Sequence, residues 1–149
     1  MSLANLLRIN RLQVFAPSAE GVQRLLDSAA RNLQDAHVVG LSTDNRFDAA
    51  YKTILQCAMV GLWANGYRTS TNQPGHHQTA LQALPLTMGL PEDSVIVFDA
   101  LRKQRNINDY EGDSVTEAAV KACVAEAEQL LTHTRLWLQQ HRPELLNQP

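Results

Sequence analysis

Arg102, Arg105, Asn106, Asp109 and Tyr110 fall within one short stretch of the chain. Read as a helix, Val95, Phe98, Asp99, Arg102, Arg105, Asn106 and Asp109 share a face, at offsets 0, 3, 4, 7, 10, 11 and 14. That face begins apolar and ends in two guanidiniums, an amide and a carboxylate. A guanidinium withdrawn from water needs acceptors. Asp99 and Asp109 supply them at helical spacing. A phosphate group serves equally well, because arginine's planar fork meets two of its oxygens at once. The chemistry open to this stretch is therefore a structural ion-pair network or anion recognition.

The other reactive side chains are scattered. Cys57 and Cys123 sit inside apolar helical stretches and read as buried free thiols. No Cys-x-x-Cys occurs, and no histidine has metal-ligand spacing with a carboxylate, so neither a metal nor a cofactor is expected. His76 and His77 open a helix, with His77 partly on the face of Ala80, Leu81 and Leu84. His37 falls on an apolar stripe and reads as a core residue, whereas His133 and His141 fall on or near an exposed side.

The elements that position these groups are helical. Residues 3–12 form a short arm broken by Pro17, within an N-terminal segment 1–16. Ser18 caps a helix over 19–39. There Val22, Leu25, Leu26, Ala29, Leu33, Ala36 and His37 make the apolar stripe, and Gly40 is the expected C-cap. A helix over 45–65 follows and is apolar on nearly every side, so it must be enclosed by others. Residues 66–75 read as a loop. The next helix, 76–88, is short or bent because Pro85 lies inside it. A fourth runs from Pro91 to Asn108, with acidic residues first and basic ones last. A fifth runs from Ser114 to His141, opened by the capping-box spacing of Ser114 and Glu117 and ended by Pro143. No segment alternates with period two over enough residues to read as a strand. Short connections between long helices predict one domain over 1–149, an all-α up-and-down bundle of about five helices.

Composition narrows the function classes. The chain has 149 residues, 44% hydrophobic and 19% charged, which fits one globular core. A net charge of −2 provides no global basic field for nucleic acid, so any such contact must be local. No apolar run approaches the roughly 18 residues that span a bilayer. Arg8 and Arg11 interrupt any signal-like core at the start. The expectation is a cytoplasmic protein without a membrane partner.

Over residues 19–140 the chain resembles the HEPN superfamily, small helical bundles found in prokaryotic toxin–antitoxin and defence systems. The resemblance rests on an ordered set of strings. These are Arg46-Phe47-Asp48-Ala49-Ala50-Tyr51, Gly66-Tyr67-Arg68, Gly75-His76-His77 and Leu101-Arg102-x-x-Arg105-Asn106-x-x-Asp109-Tyr110. It implies a homodimer in which arginine binds a phosphate, beside a nucleotidyltransferase or antitoxin partner. Many members are metal-independent ribonucleases whose motif is Arg, four to six residues, then His. Here positions 110 to 112 hold Tyr110, Glu111 and Gly112, and positions 107 to 109 hold Ile107, Asn108 and Asp109. A tyrosine of ordinary pKa near 10 is a poor general base at neutral pH. The expectation is a non-catalytic module binding nucleotide, RNA or protein through Arg102, Arg105, Asn106 and Tyr110. One alternative is a degenerate ribonuclease with Arg105 as its catalytic candidate. The other is an assembly protein whose Arg/Asp face only stabilises the fold.

Overall fold

The computed structural model describes residues 1–146. The observed helices are α1 (Leu3–Arg8), α2 (Ala19–Asp35), α3 (Thr43–Ala64), α4 (His76–Gln82), α5 (Leu84–Met88), α6 (Glu92–Glu111) and α7 (Glu117–His141). A short 3-10 turn, Pro143–Leu146, follows. The fold is an all-α bundle, as its sequence predicts, with a small sheet at one end.

The centre is α3. Phe47, Ala50, Tyr51, Ile54, Cys57, Ala58, Val60 and Leu62 are all buried along it. Its main neighbours are α2 and α7, packed along most of its length. The α2–α3 seam also carries polar bonds. The Thr53 hydroxyl donates to the Ala29 carbonyl at 2.7 Å, and Gln56 joins Asn32 and Ser28 at 2.9 Å each. These bonds satisfy groups that would otherwise be buried unpaired. Cys57 and Cys123 are buried free thiols. Burial pushes both well above the usual thiol range, to about 12.

Several boundaries differ from the sequence reading. Helix α2 stops at Asp35, not at Val39. Arg46 Nε donates to the Ala36 carbonyl at 2.9 Å, while His37 and Val38 make tight bonds back to Gln34 and Asp35. Those bonds close the last turn and leave Gly40 outside any cap. His37 is consequently exposed, not a core residue. Helix α3 starts at Thr43 rather than Asn45, its cap being Ser42, whose hydroxyl accepts from the Asn45 amide. Thr116, not Ser114, caps α7 by accepting from the Ala119 amide at 3.1 Å. Helix α6 continues three residues past Asn108 to Glu111, where Gly112 turns left-handed at φ +73°. The 76–88 helix divides at Ala83, with Pro85 in the first turn of α5, where its missing N–H costs nothing.

Two strands were not expected. β1 (Leu12–Val14) pairs antiparallel with β2 (Tyr67–Thr69) in the register Leu12↔Thr69, Gln13↔Arg68 and Val14↔Tyr67. The arm therefore ends at Arg8 and becomes a strand, and the 66–75 loop begins as one. Three residues are too few for an alternating pattern to register.

Helix α5 packs on α3 at Gly61. A Cβ there would lie 2.9 Å from Thr87 Oγ1 and 3.2 Å from the Met88 side chain, both buried. Gly61→Ala is expected to lower stability by about 1–3 kcal/mol through overpacking, read as a lower urea midpoint of the whole chain.

Candidate functional site

Helix α6 reaches the bundle with its side. Phe98 is its single fully buried residue among those described, and Leu101 packs partly against the core. One turn further on, the face turned to α3 and α4 carries Arg102 and Arg105. Arg102 Nε donates to Asp99 Oδ1 at 2.9 Å, and Lys103 Nζ lies 3.4 Å from Asp99 Oδ2. Arg105 Nε donates to Asp48 Oδ1 on α3 at 3.2 Å and lies 3.2 Å from Asp109 Oδ2. Three cations thus meet three carboxylates, so the cluster has little net charge. Yet each arginine is hydrogen-bonded through Nε. The terminal Nη pair of each fork makes no hydrogen bond among the described residues.

The phenol of Tyr51 lies beneath Arg105. The guanidinium carbon is 5.7 Å from the ring centroid, a cation–π arrangement. Tyr51 is 1% exposed, and its hydroxyl has no hydrogen-bond partner among the described residues. Burial pushes its pKa up to about 12, against the opposing pull of Arg105 and Arg102. The phenol is therefore a neutral donor at any physiological pH.

Beyond Tyr51 lies His77, at the start of α4. The two rings are 6.4 Å apart, and His76 meets His77 edge to face at 4.6 Å. Partial burial holds His77 below its usual value, reinforced by His76, Arg105 and Arg102 in that order. His77 is accordingly a neutral imidazole at pH 7.

Of the residues expected to form a site, Arg102 and Arg105 come together and Asn106 is half-buried beside them on α6. Tyr110 is 86% exposed and does not join them. It lies with Ile107, also exposed, on the outer side of α6. The aromatic group at the arginines is Tyr51, and the histidine is His77. Spacing within α6 could not disclose either, since they come from α3 and α4. Tyr51 reads in sequence as one more apolar position, and His77 as a helix-start residue.

On its other side Arg105 borders a groove of about 240 Å³ walled by Asp44, Asp48, Asn108 and Asp109. Carboxylates there repel an anion. The remaining histidines lie elsewhere. His133 Nε2 is 2.8 Å from the Met88 carbonyl, and His141 stacks on Trp137. Among the described residues no three His, Cys, Asp or Glu side chains are grouped to hold a metal, and no helix is long and apolar enough to cross a membrane.

Compared with known proteins, the chain matches no family model, no curated protein and no solved structure.

The depressed His77 sets a pH dependence. The unfolded chain takes up this proton near pH 6.5, whereas the folded chain resists it until lower pH. Its share of stability is full above that range and is lost as pH falls toward the folded value. His77→Gln is expected to reduce the drop in melting temperature between about pH 7.5 and pH 5.5, measured by thermal melts of both proteins.

Proposed function

We propose that the chain is a HEPN-like, non-catalytic module that binds a phosphate-bearing ligand, nucleotide or RNA, through Arg102 and Arg105. The observation that carries this reading is the way the two arginines are held. Asp99 and Asp48 orient them through Nε, and the Nη ends remain for a ligand. A fork fixed in this manner loses little rotamer freedom when it meets a phosphate. Asn106, half-buried next to Arg105, is a further donor. A cytoplasmic homodimer, acting beside a nucleotidyltransferase or antitoxin in a toxin–antitoxin or defence system, completes the reading. Two features support parts of it: free buried cysteines suit a reducing compartment, and Ile96, Ile107 and Tyr110 are exposed apolar side chains on one side of α6.

Titration calorimetry with a nucleoside monophosphate and a short single-stranded RNA tests this. Arg105→Lys keeps the charge and the pairing with Asp48 but removes the fork. It is expected to weaken binding about tenfold while leaving the melting temperature within a few degrees. Equal affinity of the two proteins would refute the role given to the fork. Sedimentation of the same samples should give twice the chain mass.

A degenerate ribonuclease is the second reading, and one observation favours it. His77 brings a neutral imidazole toward the two arginines from a different helix. Expression in cells should then degrade RNA, and Arg105→Ala should abolish the effect. Intact RNA with both proteins would eliminate this reading.

A further inference from the structure

We propose that the ligand of this site is a terminal phosphate monoester, the 5′-phosphate of a nucleotide or of an RNA end, bound by the Tyr51 hydroxyl and His77 together with the forks of Arg102 and Arg105. The proposal rests on the phosphate-binding reading above and specifies its substrate class.

The argument begins with an unpaired group. Tyr51 is enclosed within the fold, yet its hydroxyl has no partner among the described residues. A buried hydroxyl left unpaired is costly, and a native structure that keeps one calls for an explanation. Around it stand two guanidiniums and a neutral imidazole, with Asp99 also within electrostatic reach. Arg105 covers the ring, Arg102 lies within electrostatic reach, and His77 stands 6.4 Å from the ring centroid. The nearby carboxylates are already engaged. Asp99 holds Arg102 and Lys103, while Asp48 and Asp109 hold Arg105. A phosphate would supply acceptors to the phenol and to the Nη groups together.

Shape then narrows the ligand. A monoester phosphate presents three non-bridging oxygens on a compact tetrahedral end. An internal phosphodiester presents two, with chain on both sides. The Tyr51 hydroxyl is sealed under side chains, so the group that reaches it enters end-on. The entry is bounded by Arg102, Arg105 and His77, all only partly buried. The Nε edges keep their bonds to Asp99 and Asp48, and the Nη ends turn to the phosphate. His77, uncharged before binding, provides a ring N–H for the phosphate or accepts its last proton.

The test uses the full chain and fluorescence anisotropy. The probes are one oligoribonucleotide carrying either a 5′-phosphate or a 5′-hydroxyl, with AMP and adenosine as competitors. The phosphorylated end is expected to bind at least tenfold more tightly. Tyr51→Phe should remove most of that preference while melting no lower than the parent, because it deletes an unpaired hydroxyl and keeps the ring. His77→Gln should weaken the phosphorylated probe several-fold and spare the other. Competition by AMP but not adenosine points to a free nucleotide, and competition by neither points to an RNA end. Equal binding of the two ends overturns this inference and leaves the phosphate-binding reading standing. Binding of none of the probes overturns both. A preference that survives Tyr51→Phe, or a clear loss of melting temperature in that variant, shows the hydroxyl is satisfied within the fold and rejects its role.

Discussion

Almost the whole of α3, from Thr43 to Ala64, must be kept from water. Its apolar side chains point in every direction, so no single neighbour can cover them. Helices α2 and α7 take two sides, and α4, α5 and α6 close the remainder. Every other helix of the bundle is placed by what it must cover on this rod. The few polar groups within reach of the rod are answered locally, as Thr53 is by the Ala29 carbonyl. Tyr51 is the exception, its hydroxyl having no such answer among the described residues. That the exception lies under the guanidinium of Arg105 ties the candidate site to the packing of the core.

The same enclosure explains the character of α6. Among its described residues only Phe98 is fully buried, while Ile96, Ile107 and Tyr110 face out. Its contribution is electrostatic. Arg105 reaches across to Asp48, and Arg46 on α3 likewise reaches Glu117 on α7 at 3.0 Å. Pairs this exposed contribute only modestly to stability, on the order of 1 kcal/mol or less each. They fix orientation more than they hold the fold together. Arg102 and Arg105 commit the Nε edge.

The long helices were legible because burial is periodic. The stripe through Val22, Leu26 and Ala29 is buried. The small sheet was not legible, because three residues of β1 pair with three of β2 more than fifty positions away. The ends of helices were misplaced where a distant group decides them, as Arg46 does at Ala36. The candidate site was legible by half. Arg102 and Arg105 share one helix face and could be read from spacing alone. Tyr51 and His77 join them only through tertiary packing, and Tyr110, the nearest aromatic residue in sequence, lies in solvent.

The pairing of β1 with β2 reaches beyond its size. Arg11 ties both ends of the segment that follows β2, its carbonyl accepting from the Ser70 amide and its Nη1 donating to the Pro74 carbonyl. That segment runs directly into His76 and His77. The first fourteen residues thus act as a clasp on the approach to α4. Closing such a clasp spends loop entropy across more than fifty residues, and contacts of that separation are slow to form. The position of His77 is thus tied, through residues 70–75, to the docking of the N-terminal strand.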